Sequence, residues 1–266
     1  TERGFTGRIW PKLALDWRFP FIRQDGRSRQ LIEPIAVAVV TPFGGNPEKI
    51  PNEDSVEFEF DDTNLLSLER FHGLDRVEGG PRINYGLKFG AFGAGGAQMT
   101  ALIGQSYRLK ADSTFGAGTG LDRHFSDVVG RLNISASSLF DLAYRFRWDP
   151  DNLKPRRNEV DSFIGPEWLR LNIGFISVDE EDIPEDPGRR TELALSARAE
   201  ITRFWTVRAD ARRDLTGDGM ISSGAGVMYE DECLVFSARF SRRFTRDRDV
   251  KPDTTLTIHV QLKNLG

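Results

Sequence analysis

The chain repeats one local pattern that few architectures accommodate: apolar and polar residues alternate for about ten residues, a turn follows, and the pattern resumes. Successive side chains of a strand point to opposite faces, so alternation gives each strand one greasy and one wet face; a helix would scramble the two. In the first segment Ile9, Leu13, Leu15, Trp17, Phe19 and Phe21 share one parity, and Arg8, Lys12, Asp16 and Arg18 the other. Later, Leu142, Tyr144, Phe146 and Trp148 oppose Asp141, Arg145 and Arg147, and Leu256, Ile258 and Val260 oppose Thr257, His259 and Gln261. About thirteen such segments can be counted, near 5–21, 31–43, 80–92, 96–108, 126–136, 139–149, 156–164, 167–178, 190–201, 203–214, 219–229, 233–244 and 254–262.

Several exceed the ~5–6 residues usual in soluble strands and match the ~9–11 needed to cross a bilayer at a tilt. The links mostly take turns: 44–79, 109–125, 179–189 and 245–253 are long, 93–95, 137–138, 165–166, 202 and 230–232 are short, and 22–30, 150–155 and 215–218 are intermediate. Outer-membrane barrels have short periplasmic turns and longer extracellular loops, and this rhythm sets the C-terminus on the periplasmic side. Trp17, Trp148, Trp168 and Trp205 fall near segment ends, where aromatic girdles sit. A soluble β-sandwich also alternates but needs no difference between the loops at its two ends. The expected fold is therefore all-β, an antiparallel transmembrane β-barrel. Single-chain bacterial barrels have even strand numbers, so about thirteen strands imply a fragment of a larger barrel.

Other chemistry is thinly represented. Hydrophobic residues are 39% of the chain, and no run approaches the ~18 apolar residues of a membrane-spanning helix. The 36 basic and 40 acidic residues are dispersed, which leaves no nucleic-acid footprint. Thr1 to Trp10 lacks the features of a signal peptide. The single cysteine, Cys233, excludes an internal disulfide, and His72, His124 and His259 are too scattered for a local metal motif. No catalytic constellation stands out, so the chain reads as a non-enzyme without a cofactor.

Three patterns carry rival readings. Asp54, Asp61 and Asp62 suggest a cation site, but Asp also terminates strands and accepts from turn backbone, which is the preferred reading. Asp214 to Ile221 mimics the first eight positions of an EF-hand loop, yet Ala225 stands where the bidentate Glu belongs, and a Gly-Asp-Gly hairpin turn fits better. Arg145, Arg147, Arg170, Arg208 and Arg212, with Arg82, Arg198 and Arg239, share the polar parity and would face a barrel lumen. They could contact phosphates, or pair with Asp141, Glu200 and Asp210, and the mixed charge favours pairing.

The stretch NEDSVEFEFDDTNLLSLERFHGLDRVEGGPRINYGLKF, from Asn52 to Phe89, resembles the central signature of the LPS-assembly protein LptD family. QLIEPIAVAVVTP (Gln30 to Pro42), GQSYR (Gly104 to Arg108) and the stretch from Tyr229 to Gly266 are similar to that family in the same order. The resemblance implies that residues 1–266 are the C-terminal part of a 26-stranded outer-membrane barrel, the N-terminal jelly-roll and first barrel strands being absent. It further implies a Gram-negative translocon that inserts lipopolysaccharide into the outer leaflet, with an LptE-like lipoprotein plug, an LptA-like periplasmic bridge docked on the missing domain, and assembly by the barrel-assembly machinery. A passive porin-like pore is the alternative. By the resemblance, the segment 44–79 caps or enters the lumen, the strand near 254–262 flanks a lateral exit, and Cys233 bonds to a cysteine outside this segment. The closing Asn264-Leu265-Gly266 departs from the aromatic last residue common in outer-membrane proteins.

Overall fold

The computed structural model describes residues 7–55, 59–111, 114–116, 118–179, 190–217, 219–246 and 251–263. Among them it holds one antiparallel sheet of 14 strands and a single 3-10 turn (Ala94–Gly96), with no helix long and apolar enough to cross a membrane. The strands are β1 (Leu13–Arg18), β2 (Phe21–Asp25), β3 (Ser28–Val40), β4 (Arg82–Phe92), β5 (Gln98–Arg108), β6 (Val128–Ala136) and β7 (Phe140–Trp148). They continue as β8 (Pro155–Ile164), β9 (Leu169–Val178), β10 (Arg190–Glu200), β11 (Trp205–Asp214), β12 (Met220–Glu230), β13 (Leu234–Arg243) and β14 (Asp253–Leu262). From β3 onward each strand pairs with the next in sequence. The sheet is open: its edges are β1 with β2 on one side and β14 on the other.

The first alternating segment is shorter than its pattern, beginning at Leu13 rather than near residue 5, and it divides into β1 and β2. Both lie along β3, with Arg18 opposite Ile35 and Phe21 opposite Ile32, so together they occupy one position in the sheet. Two prolines explain the break. Phe19 N–H donates to the Pro34 carbonyl at 3.2 Å, but Pro34 has no N–H to return, and Pro20 adds a second missing donor. Pro20 is confined to the edge strand, where a missing donor costs the ladder least.

The link expected at 22–30 is instead a tight turn at Gly26 and Arg27, with Asp25 opposite Ser28. Gly26 adopts φ +50°, and Gly at the first central position of a two-residue loop marks a type II′ hairpin turn. With that correction the alternation of links is uniform. One end of the sheet carries 26–27, 93–97, 137–139, 165–168, 201–204 and 231–233; the other carries 41–81, 109–127, 149–154, 179–189, 215–219 and 244–252. Trp148, Trp168 and Trp205 sit at or beside strand ends, whereas Trp17 lies opposite Ala36 within the sheet, because β2 extends the strand beyond it.

Register makes the apolar parity continuous across the sheet. Leu87, Ile103 and Gly130 face one another in succession, as do Leu171, Ala197 and Ala209, and further on Phe240 and Leu256. Many of these side chains are exposed, including Leu87, Leu171, Leu195, Phe240 and Leu256. Among the described residues the ion pairs between strands, Arg145 with Glu159, Arg212 with Glu192 and Arg239 with Asp210, lie on the opposite face. The core lies on that polar side, over β3 to β6, and not on the apolar side. The Gly26 turn yields a prediction. Gly26→Val should destabilise the chain by about 1–2 kcal/mol, the cost of a left-handed conformation for a side-chain-bearing residue, while Gly26→Asn should cost distinctly less. Denaturant unfolding of the two variants in lipid vesicles checks this.

Candidate functional site

The polar face of the sheet is covered over β3 to β8 by the connection 41–81, helped by 109–127. On β3, Ile35, Val37 and Val39 point to this face and are buried, with Leu66 packed on them. Leu66 also joins a second cluster, Phe60, Leu65, Phe115, Leu121 and Val129, in which Phe71 stacks on Phe115 at 4.9 Å between ring centroids. Gly86 and Gly104 face each other across β4 and β5, and a side chain at Gly104 would collide with Leu65. The missing side chains let the connection descend to the sheet backbone.

Beside this apolar seam lies a buried charge cluster. The Glu78 carboxylate is fully buried and meets three buried guanidiniums: Arg70 at 2.5 Å, Arg82 at 3.2 Å, and Arg108. Arg70 and Glu78 belong to the connection, while Arg82 is on β4 and Arg108 on β5. Asn84 Oδ1 accepts from both Arg70 and Ser106, each at 2.7 Å. The Glu69 carboxylate accepts the Glu78 backbone N–H at 3.0 Å and pairs with Lys12 at 2.8 Å. Arg108 also lies over the Phe115 ring at 4.6 Å. Burial pulls the Arg70 guanidinium down to about 9, still cationic at neutral pH. Charges removed from water are costly unless partners are exactly placed, so the cluster fixes the seat of the connection on the sheet.

The acidic part of the connection serves its own backbone. Asp54 accepts from the N–H groups of Leu74 and Asp75 at 2.8 and 3.0 Å, which with the Ser55 hydroxyl holds its carboxyl down at about 2. Asp61 accepts from Thr63 and Asn64 N–H. Asp62 faces Arg131 at 3.4 Å, and burial raises its carboxyl above the usual range. The Asp54 and Asp61 oxygens are engaged by turn backbone, whereas the buried Asp62 oxygens accept no hydrogen bond among the described residues and meet only the Arg131 charge. Asp214 likewise accepts from Thr216 and Gly217 N–H in the β11–β12 turn; Asp218 lies outside the described residues, as do Asn264 to Gly266.

Arg145, Arg147, Arg170, Arg208 and Arg212 all share the polar face. They do not converge. Arg145 pairs with Glu159 at 3.3 Å, Arg147 faces Asp127 at 3.5 Å, and Arg212 grips Glu192 through Nε at 2.6 Å and Nη2 at 2.5 Å. Arg170 lies over Phe163 at 5.0 Å, and Arg208 stands opposite Gly226 without an ion-pair partner among the described residues. Of the other arginines on this parity, Arg82 is in the Glu78 cluster, Arg198 pairs with Glu200 and Arg239 with Asp210. Cys233 is an exposed free thiol in the β12–β13 turn, whose Asp231 accepts its N–H at 2.8 Å.

A family model described as LPS transport system D, LptD, matches residues 1–205. The chain belongs to the LptD family. Among relatives named LPS-assembly protein LptD, that of Acinetobacter baumannii is 25% identical over 97% of this chain and 32% of its own length. Those of Hahella chejuensis and Coxiella burnetii are 26% and 27% identical, each over 89% of this chain and 30% of their own. The chain thus spans about a third of the length of the LptD relatives it matches.

Sequence reasoning singled out Arg82 but missed Arg70, Glu78 and Arg108. A signal was present in β3, where the run Ile35-Ala36-Val37-Ala38-Val39-Val40 is apolar on both parities, as in a strand covered on both faces. Glu78→Gln, which strands three guanidiniums without their carboxylate, should destabilise the seat of the connection by about 3–5 kcal/mol. Limited proteolysis should then cut within 41–81 while the strands stay protected.

Proposed function

We propose that this chain forms the C-terminal part of the wall of a Gram-negative outer-membrane barrel that passes lipopolysaccharide to the outer leaflet. The observation that carries the reading is the two-sided sheet: an apolar face continuous over the strands and exposed, and a polar face covered by the chain's own connection. A sheet exposing such a face suits hydrocarbon, and unpaired edges in hydrocarbon require closure by further strands. Those strands belong to the two thirds of the LptD relatives that this chain does not span, giving a barrel of 26 strands overall, with a jelly-roll domain preceding it. By the alternation of links, the short turns face the periplasm.

On this reading the polar face lines the lumen, and Arg145, Arg147, Arg170, Arg208 and Arg212 keep it wet, mostly through pairing within the wall. The chain conducts and performs no catalysis. Its partners are lipopolysaccharide, an LptE-like lipoprotein in the lumen, an LptA-like bridge delivering substrate to the missing domain, and the barrel-assembly machinery during insertion. Cys233 would bond to a cysteine outside this segment in the oxidising periplasm, a reading its exposure in a short turn supports. A passive porin-like pore fits less well, because the 41–81 connection fills the space over β3 to β8 that an open channel would need.

Depletion of the full-length protein should stop newly made lipopolysaccharide from reaching the cell surface, scored by surface labelling. Restoration by the intact gene and undiminished surface delivery during depletion are the supporting and the contradicting results.

A further inference from the structure

The apolar face is broken at one place near the long-link end. Arg213 of β11 lies opposite Leu193 and so shares the face of Leu195, Ala209 and Ala211. Arg242 of β13 lies between Ser223 of β12 and Thr254 of β14, on the same face as Phe240 and Leu256. Both arginines are exposed. Neither has an ion-pair partner among the described residues; on the other face Arg145, Arg198, Arg212 and Arg239 have one, while Arg170 and Arg208 do not. Arg242 instead lies over the Phe244 ring at 4.8 Å.

Below this row the face is greasy. The next rows toward the short turns are Ala225, Phe240 and Leu256, then Val227, Ala238 and Ile258. The pattern therefore presents two free guanidiniums and two hydroxyls, from Ser223 and Thr254, above an apolar strip. Arg213 and Arg242 are two strands apart and, with the β-bulge between Arg212 and Arg213, two to three residues apart in height, so from ordinary strand spacing their Cα atoms lie roughly 12–14 Å apart. Two arginine side chains can converge across that gap, and their planar forks match phosphate oxygens in bidentate fashion.

We propose that Arg213 and Arg242, with Ser223 and Thr254, form a binding site on the outside of the wall for the phosphorylated head group of lipopolysaccharide, its acyl chains lying on the strip below. The proposal rests on the transport reading, which puts the long-link end at the outer leaflet, and it adds a station for the lipid outside the barrel. Other uses of exposed cations fit less well. A soluble anion would gain nothing from the apolar rows, and a partner protein would leave the strip's hydrocarbon contact unexplained.

The test uses the full-length protein purified with its natural partners in detergent. Retention of bisphosphorylated lipid A, its dephosphorylated form and phosphatidylglycerol is measured by native mass spectrometry. In the double variant Arg213→Gln/Arg242→Gln, retention of bisphosphorylated lipid A should fall about tenfold, as expected for losing two solvent-exposed ionic contacts. Arg213→Lys/Arg242→Lys, which keeps the charge, should recover part of it, and dephosphorylated lipid A should bind wild type and variants alike. Equal retention of bisphosphorylated lipid A by wild type and the glutamine variant overturns the proposal, as does equally strong retention of phosphatidylglycerol. Surface delivery of lipopolysaccharide by the wild type is scored separately. Its absence removes the transport reading, whereas normal delivery with unchanged retention removes only the exterior site.

Discussion

The whole structure depends on backbone hydrogen bonding that runs sideways from strand to strand while side chains alternate above and below. Because the ladder satisfies the peptide groups, the two faces are free to differ in solvent preference. Register then carries the difference across the sheet. A slip of one residue at any pair would put arginines among leucines, so each pair is held to the parity of its neighbour. The open edges, β1 with β2 and β14, are where this scheme is unfinished within the chain.

The polar face has its own organisation. Among the described residues it acquires a core only where the 41–81 connection lies, and there the strands change character. β3 abandons alternation, Gly86 and Gly104 clear room for Leu65, and Arg82 and Arg108 turn from wall residues into partners of Glu78. The apolar contacts supply the attraction, and the buried charges supply the position, since a shifted connection would strand guanidiniums away from water. Over β9 to β14 the polar face keeps exposed, locally paired charge, as at Arg198 with Glu200 and Arg239 with Asp210. The polar face is thus covered beside the 41–81 connection and wet over β9 to β14.

Much of this was legible in the sequence. From β4 to β14 the alternating segments match the strands to within a few residues, because parity is a local property that needs no knowledge of partners. The first segment misled because alternation shows parity without showing continuity, and the loss of donors at Pro20 and Pro34 becomes apparent only when β3 lies alongside. The Gly26-Arg27 turn was readable and overlooked. The Glu78 cluster was not readable, since Arg70, Glu78, Arg82 and Arg108 meet only through the path of a long connection. Arg213 and Arg242 break the parity of their strands in the sequence, and their closeness, two strands apart, emerged only from the register of β11 to β13.

The central claim is that successive residues of one strand meet hydrocarbon and water in turn. Nitroxide labels placed singly along β10, from residue 192 to 199, in the full-length protein reconstituted in lipid bilayers measure this directly through collision with oxygen and with a water-soluble nickel complex. The account predicts high oxygen access at 193, 195, 197 and 199 and low access at 192, 194, 196 and 198, with the nickel complex out of phase. Oxygen access without a two-residue period, or equal access of the nickel complex at both sets of positions, would contradict it.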